Sequence, residues 1–116
     1  MIRGIYCSNT GLNAMQQKLN TIANNLANVN TEGFKQEKIL FKTFINEING
    51  VVPAGTAVDF SAGSLKENGQ ESSNVDLIYN LSEMISTARN YSLNSKMIMS
   101  QDEMLKKAAD EIGLLK

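Results

Sequence analysis

The sequence predicts a mainly α-helical protein, with long N- and C-terminal helices that pair as a coiled coil around a short irregular or β-hairpin middle. In the first and last thirds of the chain, apolar residues recur at alternating intervals of three and four, the spacing of helices that pack side by side. The middle third is instead rich in small residues and turn dipeptides. Three segments follow from this pattern: residues 1–33, 34–72 and 73–116.

The first segment is expected to form a helix over about residues 5–29, roughly 37 Å long at 1.5 Å per residue. Ser8 interrupts its apolar seam in the first turn. Gly33 then supplies a stop, because glycine after a helix adopts the left-handed conformation at little cost. The apolar seam comprises Ile5, Leu12, Met15, Leu19, Ile22, Leu26 and Val29.

The same helix carries an unusual number of asparagines, in the stretch LNTIANNLANVN at residues 19–30. Asparagine is a poor helix former, so these residues call for an explanation. One interpretation is a slightly frayed helix surface that tolerates them. The other is that their amides, which both donate and accept hydrogen bonds, contact neighbouring molecules; on this view Asn24, Asn25 and Asn28 belong to an assembly interface.

The middle segment lacks the heptad pattern and differs in composition. Residues 34–48 contain several large apolar side chains and are consistent with either a short helix or an extended arm. The run TAVDFSAGSLKEN, residues 56–68, is interpreted as one short β-hairpin. Asn49-Gly50 and Asn68-Gly69 are both turn dipeptides. This segment is too small to bury a core of its own.

The last segment predicts a second helix of about 40 residues, roughly 60 Å long, which is typical of a coiled coil. Ser73 and Asp76 are expected to begin it by accepting hydrogen bonds from the free amides of the first turn. Only Ser95 and Asp102 interrupt its apolar seam. The other members of that seam are Leu77, Leu81, Met84, Ala88, Tyr91, Ile98, Leu105, Ala109 and Ile112.

Composition argues against several classes of function. The chain has 11 Lys and Arg against 12 Asp and Glu, so no basic surface points to nucleic acid. It has no His and one Cys, Cys7, which argues against an enzyme, a metal or cofactor site and an intrachain disulfide. No apolar run reaches membrane-spanning length, and the start does not resemble a cleavable secretory signal. A cytoplasmic protein is expected, unless export uses a route that needs no such signal.

Two terminal motifs resemble a known family. Residues 12–38, LNAMQQKLNTIANNLANVNTEGFKQEK, resemble the N-terminal signature of bacterial flagellar rod and hook proteins, including the ANNLANVNT core and Gly-Phe-Lys at 33–35. Residues 58–69 are similar to the stretch that precedes the outer domain of distal-rod-like members. Residues 73–116 resemble the closing helix of the family. The β-rich outer domain of those members is missing here, since the closing helix follows Gly69 within a few residues.

The resemblance implies a structural subunit whose terminal helices pair and pack into an inner tube. It implies self-association, contacts with other rod and hook subunits, and passage through the flagellar export apparatus without signal cleavage, with no nucleic-acid partner and no membrane insertion. The expected location is the flagellar basal body. An alternative is a soluble helical adaptor or export chaperone that uses the same apolar stripes. In either case the two apolar seams and the asparagines are the residues expected to contact partners.

Overall fold

The computed structural model describes residues 2–44 and 50–113; side chains are described outside residues 2, 3, 43, 44 and 50–52. Helix α1 (Ile2–Ala27) is followed by strands β1 (Glu37–Phe44) and β2 (Gly50–Val58), and helix α2 (Leu77–Gly113) closes the chain. The molecule measures 80 × 28 × 14 Å. Two long helices pack together as an antiparallel coiled-coil pair with a short β-hairpin between them, which confirms the predicted fold class.

Helix α1 begins at Ile2 and ends at Ala27, slightly earlier at both ends than the sequence predicts. Beyond Ala27 the chain turns, and the Thr31 amide donates to the Asn28 carbonyl at 3.0 Å. Gly33 adopts the left-handed conformation expected of it, with φ of +69°. It does so six residues after the helix, where its amide donates to the Glu71 carbonyl at 2.9 Å.

The hairpin lies earlier than predicted. Strands β1 and β2 pair antiparallel from Glu37 opposite Val58 to Phe44 opposite Gly50, with a bulge after Leu40. The prediction of a hairpin at residues 56–68 is therefore wrong, while the extended-arm interpretation of residues 34–48 holds for β1. The bulge explains how Pro53, which cannot donate to a ladder, is accommodated in β2. Asn49 and its neighbours 45–48 lie outside the described residues.

Residues 59–76 form an irregular return to the helices. Leu65 bridges to Glu71 across a tight turn, and Gly69 takes φ of +80° within it. The Asn68-Gly69 dipeptide therefore marks a real turn. Residues 65–68, which were expected to belong to the predicted hairpin, thus belong to this turn, with an isolated β-bridge between Leu65 and Glu71.

Helix α2 starts at Leu77 rather than at Ser73. The Tyr79 amide donates to Oδ1 of Asp76 at 3.0 Å, so Asp76 alone caps the helix. Ser73 accepts instead from the Val75 amide, before the first turn. The 37 residues of α2 extend roughly 55 Å at 1.5 Å per residue.

The core is very small. Among the described residues, the buried apolar side chains are Ala14, Ile22 and Val75. The buried polar side chains of the same residues are Asn25, Asn80 and Thr87, of which the two asparagines are fully buried. A chain that buries as many polar as apolar side chains gains little from the hydrophobic effect, so its helices depend on other contacts.

Candidate assembly interface

The contact between α1 and α2 includes polar and small residues and an ion pair between Lys18 and Glu83 at 2.8 Å. Gly4 lies beside the amide of Gln101, and Gly11 lies beside the Nδ2 of Asn94. One heptad further along each helix stand Lys18 and Thr87, which line a common cavity of about 250 Å³. The next step reaches Asn25 and Asn80, the two most buried side chains. We call these four pairs, each seven residues from the next, the polar layers.

The polar layers differ from the predicted apolar seams by one residue. In α1 the seam was expected at Leu12, Leu19 and Leu26, whereas the layers use the residue before each of them. In α2 the seam was expected at Leu81 and Ala88, whereas the layers use Asn80 and Thr87, again the residue before each of them. The period of three and four was right, but the closest described approaches of the helices, Gly4 to Gln101 and Gly11 to Asn94, involve glycines and amides one position before the predicted seam.

The predicted interface residues consequently divide by exposure. Ile22 and Asn25 are buried, while Leu77, Leu81, Ala88 and Ile112 are exposed in the single chain. Asn24 is also exposed. The rest are half-buried: Leu12, Met15, Leu19, Leu26, Asn28, Val29, Met84, Tyr91, Ile98 and Leu105.

The hairpin covers one side of the helix pair. Phe41 of β1 lines both cavities between the hairpin and the helices, one with Ala14 and Thr87 and the other with Ile22 and Tyr79. Leu12 and Leu19 follow the polar layers by one residue and so point to the opposite side from Ala14, because each residue advances about 100° around a helix. The leucines of α1 thus flank the contact on the side that the hairpin leaves open.

Asn25 joins α1 to the hairpin. Its Nδ2 donates to the Glu37 carbonyl at 2.7 Å, and its Oδ1 accepts from the Glu37 amide at 2.9 Å. The side chain is 1 % exposed. Its amide pairs with both backbone groups of Glu37 at the edge of β1, as the backbone of a neighbouring strand would. The expectation that Asn25 contacts neighbouring molecules is therefore corrected, since both ends of its amide are satisfied within the chain.

Asn28 closes the end of α1. Its Nδ2 donates to the Asn24 carbonyl at 2.9 Å and to the Asn24 Oδ1 at 3.1 Å, while its Oδ1 accepts from the Thr31 hydroxyl. The helix terminus otherwise leaves carbonyls without partners. Part of the asparagine-rich pattern is thus a local capping device, and Asn24 retains an exposed side chain.

A second asparagine, Asn74, ties the strands to the start of α2. Its Oδ1 accepts from the Gln36 amide at 2.7 Å, and its Nδ2 donates to the carbonyls of Asp59 at 2.9 Å and Ser61 at 3.0 Å. We call residues 34–76, which these bonds hold together, the knuckle. No local pattern in the sequence marks Asn74 for this role, because its partners Gln36, Asp59 and Ser61 are distant in sequence.

Glu71 is the ionic centre of the knuckle. Its carboxylate pairs with the Lys35 ammonium and accepts from the Gly63 amide at 2.7 Å. These hydrogen bonds, that of Lys35 first, lower the pKa of Glu71 below its ordinary value. Close packing demands glycine at 63, because a Cβ there would lie 1.9 Å from the Ser72 carbonyl oxygen.

A second ion pair joins the ends of the hairpin. Lys38 Nζ lies 2.7 Å from Oδ2 of Asp59. Its hydrogen bond, assisted by donors from Ser61, holds the pKa of Asp59 well below the usual range. The same contact raises the pKa of Lys38. Lys66 of the knuckle and Glu32, just before it, form a further pair at 2.8 Å. Each of these three described ion pairs joins segments that are distant in sequence.

The described residues contain no cluster of three or more metal-binding side chains. Cys7, half-buried in α1, is a free thiol. Neither described helix combines the length and apolar character that crossing a membrane requires. The arrangement offers packing surfaces and directed hydrogen bonds, which suit assembly.

Comparison with known proteins matches both ends of the chain. Residues 5–35 match the family model described as flagella basal body rod protein. Residues 67–111 match the model described as flagellar basal body rod FlgEFG protein C-terminal. The two matches cover most of α1 and most of α2, the elements that form the polar layers.

Individual proteins similar to this chain are likewise flagellar rod and hook proteins. The flagellar basal-body rod protein FlgG of Bacillus subtilis is 35% identical over 94 residues, covering 80% of this chain and 36% of the relative. The flagellar hook protein FlgE of Salmonella typhimurium is 31% identical over 135 aligned positions, 81% of this chain and 33% of the relative. FlgG of Buchnera aphidicola (subspecies Baizongia pistaciae) is 53% identical over 45 residues, 39% of this chain and 17% of the relative. The chain thus spans about a third of the first two relatives.

Proposed function

Because this chain belongs to the flagellar basal-body rod and hook protein family, we propose that it is a structural subunit of the axial rod. In this proposal the subunit polymerises through α1 and α2 into a helical tube. Its partners are further copies of itself and other rod and hook subunits. It reaches the basal body through the flagellar export apparatus, without a cleaved signal peptide.

The observation that carries this proposal is the imbalance between the inside and the outside of the helix pair. Its contact is polar and its fully buried apolar set is small, whereas large apolar side chains of α2 remain exposed, Ile78 at 79% and Ile112 at 71%. A long helix with apolar side chains exposed beyond its one partner marks a protein–protein contact surface. Neighbouring subunits would cover these side chains.

A single substitution on α2 tests the role in assembly. Leu81→Asp replaces an apolar side chain that is 40% exposed in the free chain with a carboxylate. Because the position is exposed, the fold should be retained, but burying the charge between subunits should cost several kcal/mol. We expect loss of motility and of the subunit from purified basal bodies. Leu26→Asp in α1 should act in the same direction.

Ser82→Asp is the matched control, since Ser82 is the exposed neighbour of Leu81 and should tolerate the charge. Normal incorporation of Leu81→Asp would rule out this surface of α2 as an assembly contact. If the unaltered protein stayed in the soluble fraction and never sedimented with basal bodies, an adaptor or export chaperone would replace the rod subunit as the conclusion.

A further inference from the structure

Each helix carries a second seam on its outer surface, distinct from the polar layers. The α1 outer seam advances by alternating steps of three and four from Tyr6 to Ala27, and each of its seven side chains is exposed. The α2 outer seam advances in the same way from Ile78 to Met99; its side chains are exposed except Ser95, which is half-buried. The α1 outer seam comprises Tyr6, Asn9, Asn13, Gln16, Asn20, Ala23 and Ala27, and the α2 outer seam Ile78, Leu81, Ile85, Ala88, Ser92, Ser95 and Met99.

Both outer seams are free of charge. A solvent-facing helix surface normally carries charged residues, and α2 does so beyond residue 101, where Asp102, Glu103, Lys106 and Lys107 follow one another closely. Uncharged surfaces can be dehydrated at far lower cost than charged ones. The absence of charge from two surfaces of equal length indicates that both become buried.

We propose that the α1 outer seam of one copy packs antiparallel against the α2 outer seam of a second copy. This inference rests on the proposed function and adds the surfaces, the direction and the register of the contact. The direction has a geometric reason: α1 and α2 are antiparallel within one chain. In an array whose copies all point the same way, α1 of one copy is therefore antiparallel to α2 of its neighbour.

The antiparallel register also matches the chemistry of the two seams. Counted from opposite ends, Asn9 and Asn13 meet Ser95 and Ser92, so amides lie opposite hydroxyls and can bond to them. At the apolar end, Ala23 and Ala27 meet Leu81 and Ile78, a pairing of small with large side chains that allows close packing.

Tyr6 meets Met99 at the far end, and contact of an aromatic ring with a thioether is favourable. The unlike pairs are Asn20 with Ile85 and Gln16 with Ala88, of which the second occurs in either direction. The parallel register would instead place Asn9 on Leu81 and Asn13 on Ile85, leaving two amides without partners in an apolar contact, which is costly. Polar matching and array geometry therefore favour the same direction.

The contact is heterologous, because it joins two different surfaces of the same protein. Repetition of such a contact without ring closure generates an open helical array. The inner polar layers then hold each chain together, and the outer seams join one chain to the next.

Disulfide trapping between two differently tagged populations tests the contact. All variants carry Cys7→Ser, so that the introduced cysteines are the only thiols. Gln16 and Ala88 are the fourth of seven positions in their seams and meet in either direction, whereas Asn13 meets Ser92 only in the antiparallel one. We expect Gln16→Cys to crosslink with Ala88→Cys, and Asn13→Cys with Ser92→Cys, in dimers that contain both tags, because disulfides require Cβ atoms about 4 Å apart.

Matched controls are Gln17→Cys with Ser86→Cys, which are exposed and lie off both seams; they should give no mixed dimer. Self-crosslinking of Ala88→Cys alone would overturn the proposal in favour of a symmetric α2–α2 contact. Crosslinking of Asn13→Cys with Ile85→Cys would overturn the antiparallel direction.

The outcome also separates this inference from the proposed function. Subunits that sediment with basal bodies but give none of the expected crosslinks would overturn the seam contact and leave the rod role standing. Subunits that never sediment with basal bodies would overturn both. As a second readout, Ile85→Asp should reduce incorporation by about tenfold or more, the effect of a charge in a dry contact, whereas the neighbouring Ser86→Asp should not.

Discussion

The knuckle and the helix pair are held together by different means. In the knuckle, Asn74 directs its amide at backbone groups, Asn25 of α1 does the same to the Glu37 backbone, and Glu71 accepts from both a lysine and a main-chain amide. In the helix pair, the Oδ1 of Asn80 and the Oε1 of Gln101 are buried and find no donor within the described part of the chain. Among the described residues, the buried side-chain polar atoms without a partner therefore lie in α2 and none lies in the knuckle, although Phe60 and Leu65 of the knuckle are largely exposed.

This difference indicates that the knuckle and the helix pair have different roles. Directed hydrogen bonds fix geometry, because each requires a particular distance and angle. The knuckle can therefore set the relative position of α1, the hairpin and α2 before any partner arrives. The helices keep apolar side chains exposed and use polar layers to maintain register; in the proposed function, these exposed side chains are the surfaces that contact other subunits.

The largest effect on the knuckle should come from Gly63→Ala. The added Cβ would meet the Ser72 carbonyl oxygen at 1.9 Å, and a backbone atom cannot turn aside as a flexible side chain can. We expect a loss of about 3 kcal/mol or more in the free energy of unfolding, measured by denaturant titration. Gly113→Ala, with open space around it, is the control and should change little. Equal stability of the two variants would contradict the packing described for the knuckle.

Identical substitutions at the asparagine that binds the hairpin and at the one buried in α2 should give unequal effects. Asn25→Leu removes both partners of the Glu37 backbone, so we expect a loss of about 2 kcal/mol in the free energy of unfolding. Asn80→Leu removes an amide whose oxygen is unpaired and that is 0% exposed; it should cost less than about 1 kcal/mol or stabilise the chain. Thermal melts followed by circular dichroism measure both. A larger loss at Asn80 than at Asn25 would reverse the comparison.

The smallest expected effect is a selective response of the knuckle to acid. The pKa values of Asp59 and Glu71 are lowered from their ordinary 3.8 and 4.5, so their stabilisation is fully present above those values. It is lost as the pH falls through the lower pKa values of the folded state. The pKa of Lys38 is raised above 10.5, and its contribution is lost only as the pH rises through that raised value.

Amide hydrogen exchange, corrected for its intrinsic pH dependence, measures this effect. Protection of the Gly63 amide should fall in acid before protection within α1 and α2, because that amide donates directly to a carboxylate, whereas amides inside the helices donate to backbone carbonyls. The Lys18–Glu83 ion pair joins the two helices through side chains alone. Glu71→Gln should abolish most of the pH dependence at Gly63 and serves as the control. Protection at Gly63 that persisted unchanged into strong acid would show that the ion pairs do not hold the knuckle.

Some features could be predicted because their causes are local. The alternation of three and four identifies both helices, since it follows from helical geometry alone. Gly33 and Asn68-Gly69 are recognisable because the left-handed conformation restricts the residue type. Asp76 could be recognised as a candidate cap. Which of Ser73 and Asp76 caps the helix depended on where the chain enters α2.

The hairpin could not be placed in the same way. Residues 37–44 carry adjacent apolar side chains without strict alternation, and 50–58 are mostly small. Strand pairing here is supported from outside, by Asn25 on the edge of β1 and by Asn74 beside residue 36. Such contacts join residues that are distant in sequence, and no local pattern reports them.

The sequence by itself determined two long helices, a short middle, the heptad period and the family. Only the tertiary structure decided which side of each helix faces the other, by a shift of one residue from leucines to glycines and amides. The physical reason is that periodicity records where apolar side chains lie around a helix, but not what covers them. Close approach of Gly4 and Gly11 to the amides of α2 places those groups at the contact, and the leucine side chains are left beside it or exposed.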